Sequence, residues 1–364
     1  MKQLPLDKYT QRAFHLYRSY TNSWENLPVL KTHPWVDCLY TMPRVPALVI
    51  GAGPSLNAQA DLLRQAAGKC LMIAADAAVP YLNSIGVVPH LAISADPQQH
   101  VARYYPEGIS PRTVVVYDPR VSPVVLESTK QHAHVAVCLG NHLMTMLGQF
   151  LHPFRRLKSW GTVVSGALAV AHAMGCEPIV LVGNELCYHG GQSHCAGHWN
   201  ETAKRPAETT RHDKYTGDDV GTTNTFVRYQ RYMGYQRKHH LIKREVLNAT
   251  PYGLHIAGVP DVDFAQLLDG IDKHGRALHL EIANCVSAAK PVVWEPGHLR
   301  HVMNVLRRLA LHPPGDKDYY KQIDNYAVVL KPYTDVIAIH GDGIDRVAEH
   351  RNYIIQKLEA VIEV

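Results

Sequence analysis

The run Ala47-Leu48-Val49-Ile50 constrains the fold more than any other stretch of the chain. It is short, unbroken and apolar, closed by Pro46 before it and by Gly51-Ala52-Gly53-Pro54-Ser55 after it. Consecutive apolar residues without alternation mark a strand buried on both faces, and such strands belong to parallel sheets covered by helices on each side. Gly51 and Gly53 permit a tight turn, Pro54 has a fixed φ, and Ser55 is placed to cap an amphipathic helix over 56–67. Strand, glycine turn and helix N-terminus in that order predict free backbone N–H groups beside the positive end of a helix dipole. An anion, a phosphate above all, is stabilised there without a charged side chain. Gly51, Ala52, Gly53, Pro54 and Ser55 are therefore candidate binding residues. The spacing is not G-x-G-x-x-G, and no G-x-x-x-x-G-K-[ST] occurs, which disfavours a standard dinucleotide fold and a P-loop NTPase.

The same alternation of apolar runs and helical patterns continues. Strands are predicted over 70–75, 90–95, 113–117, 134–138 and 178–182, with helices over 77–85 and 163–174 and a last strand and turn within 246–256. The fold class is α/β: a Rossmann-like, mostly parallel sheet with helices on both faces, a small N-terminal region and a helical C-terminal unit. The division is 1–44 as an N-terminal arm, 45–284 as the nucleotide- or nucleotide-sugar-binding domain, and 285–364 as a helical region with helices over 296–311, 317–331 and 343–362. The aromatics of the arm are read as packing against the main sheet. Ligands of open parallel sheets lie beyond the carboxyl ends of the strands. That rule selects the glycine turn, Asp76, Asp96, Asp118, Asn141, Asn184 and Glu185, which follow six successive runs. Capping or turn formation explains any one of them; their convergence points to a pocket.

Residues 184–222 carry glycines and histidines with little periodicity, and are predicted to be a mobile, structureless lid over that rim. A polar, aromatic and basic helix follows over 223–242. The net charge of +5 and the cluster Arg237-Lys238-His239-His240 are too mild for a nucleic-acid protein. The 23 histidines are dispersed, and no H-E-x-x-H or Cys/His spacing fits a dedicated metal centre. Seven cysteines without a C-x-x-C pair read as free thiols in a reducing compartment. No apolar run reaches the ~20 residues that span a bilayer, and the N-terminus lacks a secretion signal's apolar core. A cytoplasmic location is expected.

Four ordered motifs carry a family resemblance. They are V-I-G-A-G-P-S-L; I-A-A-D-A-A with the later G-V-V-P-H-L-A-I-S-A-D-P; the long W-G-T-V-V-S-G-A-L-A-V-A-H-A-M-G-C-E-P-I-V-L-V-G-N-E-L-C-Y-H-G-G-Q-S-H-C-A-G; and L-N-A-T-P-Y-G-L-H-I-A-G-V. Together they resemble the central domain of motility-associated factor (Maf) proteins, glycosyltransferases that place nonulosonic acids on flagellins. That domain is similar to archaeal 6-hydroxymethyl-dihydropterin diphosphokinases and related to the sialyltransferase fold. The resemblance spans 46–258. The family's G-S-V is G-T-V here (Gly161, Thr162, Val163), and its D-L-A-Y is E-L-C-Y (Glu185 to Tyr188).

The resemblance implies transfer of a nonulosonic sugar from a CMP-activated donor to a protein or glycan acceptor, by an inverting route that needs no metal or other cofactor. The sequence does not give the oligomeric state. His194, matching the family's lid histidine, is the candidate general base, with Glu185 and Tyr188 as the other catalytic candidates. The glycine turn, Gly161, Thr162 and Tyr188 would face the leaving phosphate; Asp76 and Asp96 would hold donor hydroxyls or ribose; Asn184 is a further binding candidate, and Asn248 and Thr250 would form the far wall. The rival reading is pyrophosphoryl transfer from ATP, with Asp76, Asp96 and Glu185 binding Mg²⁺. A catalytically silent nucleotide-binding protein is the third.

Overall fold

The computed structural model describes residues 8–42, 44–140, 156–159, 161–198, 206–239 and 242–290, with single residues from 297 onward; side chains are described from residue 15. The apolar runs form β1 (Ala47–Ile50), β2 (Leu71–Ala75), β3 (Leu91–Ser94), β4 (Val114–Tyr117), β5 (His134–Ala136) and β6 (Ile179–Val182). An outlying pair, β7 (Thr209–His212) and β8 (Asp219–Thr222), precedes β9 (Val246–Asn248). Seven strands make one parallel sheet in the order β5-β4-β3-β2-β1-β6-β9. Ala47 of β1 stands beside Leu71 on one flank and Ile179 on the other. The order reverses at β1, so the loops leaving β1 and β6 diverge and open a crevice at their carboxyl ends.

Period-two alternation divides each strand between two cores. Ala47 and Val49 join Ile73, Ile93 and Leu181 on one face, while Leu48 and Ile50 join Met72, Ala74 and Val182 on the other. Burying each of these larger aliphatic side chains contributes about 1.5–3 kcal/mol. The first face is covered by α6 (Val163–Ala173), α7 (Asn224–Lys238) and α9 (Leu278–Ala288). The second is covered by α3 (Ala60–Ala66), α4 (Val79–Ser84), α5 (Pro123–Ser128) and α8 (Phe264–Asp269). Helix α1 (Lys8–Glu25) and the short α2 (Leu27–Leu30) are tied to the loops that follow β3 and β4. There the Asn22 and Asn26 side-chain amides donate to the carbonyls of Pro97, Pro119, Arg120 and Val121. Trp35 forms a parallel bridge to Ala136.

Three expectations change. The glycine turn does not lead straight into an α-helix: Pro54–Ala58 is a 3₁₀ turn, and α3 starts only at Ala60. Ser55 lies inside that turn, 1% exposed, and caps nothing, because the α-helix begins five residues later; its N–H donates to Glu185. Residues 184–222 are not structureless, since β7 and β8 pair as an antiparallel hairpin within them. The domain boundary expected at 285 falls inside α9. The helix expected over 317–331 and Asn141 lie outside the described residues, as do most of 296–311 and of 343–362.

Candidate functional site

A cavity of about 250 Å³ opens at the β1/β6 reversal. Its floor is the glycine turn. Gly51 N donates to Val182 O (2.8 Å) and Gly53 N to Gly183 O (2.9 Å), so two amides of the turn stitch it to the β6 loop. A third, Ser55 N, donates to Glu185 Oε1 at 2.7 Å. The Glu185 carboxyl lies against Gly53, where an added Cβ would come 1.4 Å from Oε2; only glycine fits. The amides expected to cradle a ligand are therefore engaged by the protein itself, those of Gly51 and Gly53 by carbonyls of the β6 end and that of Ser55 by the Glu185 carboxyl. The reason is tertiary: β6 docks beside β1, so its carbonyls take the glycine amides and the acid that follows it takes the Ser55 N–H.

Glu185 is 2% exposed, and burial raises its pKa against the opposing hydrogen bonds from Ser55 and the charge of Lys214. Asp76, at the end of β2, is 2% exposed and pushed up to about 7 by burial. The Ser94 hydroxyl (2.8 Å) and Ala77 N–H (2.8 Å) oppose that shift. Asp96, beyond β3, accepts from Gln98 N in a local turn. Gly161 and Thr162 enter from the opposite wall. Thr162 caps α6 by accepting from Val164 N, so the start of α6 faces the cavity. Asn184 also lines the cavity, and its N–H donates to Thr250 Oγ1.

His194 reaches the same cavity because its chain is tied to the floor: Cys195 N donates to Ala52 O and Ala196 N to the Asn57 side chain. Its Nδ1 meets Ser193 Oγ at 2.8 Å, and its ring stacks on His198 with centroids 3.8 Å apart. Ala52, Gly53, Asp76 and Asp96 thus share one rim with Gly161, Thr162, Asn184, Glu185 and His194. Gly51, Pro54 and Ser55 lie behind it. Tyr188 is outside the lining: it packs edge-on to Phe226, and its N–H donates to Gly221 O. Asn248 and Thr250 form no far wall. Asn248 accepts from Thr250 N and donates to Asp261, so both residues hold the Asn184 loop. Asp118 is spent internally on Arg120 and Leu139 N.

Sequence reasoning missed Phe226 and Tyr229, which α7 brings to the cavity. The three-residue spacing of rings after the Thr223 cap was the available signal. It also missed Leu186, whose φ of +58° is unusual for a bulky side chain. Thr222 Oγ1 donates to the Leu186 carbonyl and fixes that bend.

No lysine or arginine is among the described residues that line the cavity. Nor do three His, Cys, Asp or Glu side chains converge on a metal position among the described residues. Asp76, Asp96 and Glu185 all line the cavity, and each also accepts a hydrogen bond from the protein: Asp76 from Ser94 and Ala77, Asp96 from Gln98 N, Glu185 from Ser55 N.

Fold and site define a doubly wound, Rossmann-like α/β protein with a polar crevice at the strand reversal. Comparison with known proteins narrows the class. Residues 21–191, just under half of the chain, match the family model described as "6-hydroxymethylpterin diphosphokinase MptE-like". Among solved structures, the chain is similar to the Maf glycosyltransferase from Magnetospirillum magneticum AMB-1, with a TM-score of 0.60 and 13% identity over 99% of this chain. It spans 60% of that protein's length, and at this identity the likeness is one of fold. None of the curated proteins matches it. Both findings agree with the family resemblance that the motifs carry. No described helix is long and apolar enough to cross a membrane.

Proposed function

We propose that the chain is a glycosyltransferase that moves a nonulosonic sugar from a CMP-activated donor to a protein or glycan acceptor in the cytoplasm. The observation that carries this reading is the meeting of His194 with the Thr162-capped start of α6 across one cavity. Displacement at an anomeric carbon needs a base for the acceptor hydroxyl and stabilisation of charge on the departing phosphate. His194 supplies the first. The second falls to the N-terminal turn of α6 rather than to the glycine turn, whose Gly51, Gly53 and Ser55 amides are engaged. Asp76, part-protonated near neutral pH, can donate to a sugar or ribose oxygen without repelling the donor's phosphate. Phe226 and Tyr229 provide flat apolar surface for a base or sugar ring.

The family description favours a second reading, ATP-dependent pyrophosphoryl transfer to a pterin alcohol. Thermal-shift measurements with CMP and ATP, each with Mg²⁺ or with EDTA, separate the two. Stabilisation by CMP that ignores EDTA is the expected result. Mg²⁺-dependent stabilisation by ATP alone would overturn it.

A further inference from the structure

Helix α7 reads N-T-F-V-R-Y-Q-R-Y-M-G-Y-Q-R-K, with four arginine or lysine residues and no acid. Its rings recur every third position, at Phe226, Tyr229, Tyr232 and Tyr235. Three residues turn an α-helix by about 300°, so each ring falls about 60° behind the last, and the row winds half-way round the helix over about 14 Å. Phe226 and Tyr229 line the rim cavity. Tyr235 lines a second, larger groove of about 810 Å³ between the end of α7 and residues 255–258. Tyr232 and Tyr235 are 37% and 47% exposed, and Tyr235 overlies His239 at 4.0 Å.

The floor of the groove is fixed. Gln230 Nε2 donates to His255 O at 2.6 Å and Arg237 Nε to Gly258 O at 3.1 Å. A Cβ on Gly234 would stand 3.2 Å from Ala257 Cβ, so α7 lies close against that loop. The edge of the groove is cationic. Arg231, Arg237, Lys238, His239 and His255 line it, with no carboxylate among its described lining residues. The Arg237 guanidinium donates to backbone carbonyls, of Gly258, Ile242 and Arg244, which leave its charge unneutralised. Arg231 and Lys238 are exposed and in no ion pair among the described residues. Asp261 stands 3.2 Å from His255 and is shared with Lys214.

We infer that this groove binds a carboxylate-bearing chain of sugars, and that the ring row of α7 leads such an acceptor to the rim cavity. Exposed rings offer flat apolar surface to the C–H faces of pyranoses, and guanidinium groups pair with carboxylates in fork geometry. A neutral sugar chain meets only the rings and is held weakly. The acceptor role rests on the glycosyltransferase reading; the binding itself does not.

Fluorescence polarisation with a labelled tetramer of α2,8-linked sialic acid tests the inference, with maltotetraose, poly-glutamate and a single-stranded oligonucleotide as competitors. The acidic tetramer is expected to bind and to weaken with added salt. The double variant Arg231→Ser/Lys238→Ser and the single variant Tyr235→Ala should each weaken it tenfold or more, with the CMP thermal shift unchanged. Maltotetraose should not compete. Failure of the wild-type chain to bind the tetramer would overturn the inference, as would stronger competition by poly-glutamate or the oligonucleotide, or undiminished binding by both variants. Tetramer binding without any nucleotide response would overturn the donor reading and leave the groove assigned.

Discussion

Replacing Gly53 by alanine tests the contact on which the rim is built. Gly53 has φ −74° and ψ 156°, a conformation alanine adopts freely. By backbone entropy alone the change would stabilise the chain by about 0.4–1 kcal/mol. The new methyl, however, would lie 1.4 Å from Glu185 Oε2 and 2.3 Å from its Cδ, so the carboxyl must leave. Its departure breaks the 2.7 Å bond from Ser55 N, a hydrogen bond to a charged group worth about 1.5–3 kcal/mol, and leaves a buried N–H unsatisfied at a further cost of about 1–3 kcal/mol. The net expectation is a loss of about 2–5 kcal/mol. Glu185→Ala removes the same bond without the clash, and in the double variant the methyl introduced by Gly53→Ala occupies space the carboxyl vacated. Urea unfolding of the wild type, both single variants and the double variant should therefore give a coupling energy of about 2–5 kcal/mol, with the double variant close to Glu185→Ala. Additive losses, or a Gly53→Ala cost below about 0.5 kcal/mol, would refute the contact.

Asp76 makes stability depend on pH. Its folded pKa of about 7 lies above the ordinary 3.8, so the folded state keeps a proton that the unfolded chain releases. The stability this contributes is full below about pH 4 and drains as pH rises through 7, by a few kcal/mol at ~1.4 kcal/mol per unit. Asp76→Asn should match the wild type at or below about pH 4, exceed it at pH 8 in urea unfolding, and lose the slope between; an unchanged slope would remove the assignment. His194→Ala should lower kcat for transfer on the order of 10²-fold while the CMP thermal shift persists. An unaltered rate would free His194 of the base role. Asp118→Ala strands Arg120, which Asp118 holds at 3.0 Å, and should cost about 3 kcal/mol in unfolding, at the low end for a buried pair because Arg120 keeps some water.

The strands were legible because their residues are buried on both faces. Runs such as Ala47 to Ile50 and Ile179 to Val182 stay apolar at every position, and only their ends shifted by a residue or two. The common rim was legible for a related reason: parallel strands all finish on one side, so the polar residues after them gather there. What was not legible was which partners those residues take. Ser55 bonds an acid 130 positions away, and nothing near Ser55 announces it. Asn248 and Thr250 look like pocket residues in the sequence but are spent holding Asn184, because β9 pairs beside β6. Phe226 and Tyr229 stayed hidden because the path of α7 past the rim is set by packing, such as Met233 in the first core.

The bond from Ser55 to Glu185 joins two segments made far apart in time. During synthesis at about 5–20 residues per second, the opening strand and its bend emerge on the order of ten seconds before the acid that completes them. For that interval the bend has no sheet neighbour on its β6 side and no carboxyl in its hollow. A nascent chain halted between the two should accordingly show the Gly53 amide open to solvent exchange, and the same amide should close once translation has passed residue 185 and β6 has docked.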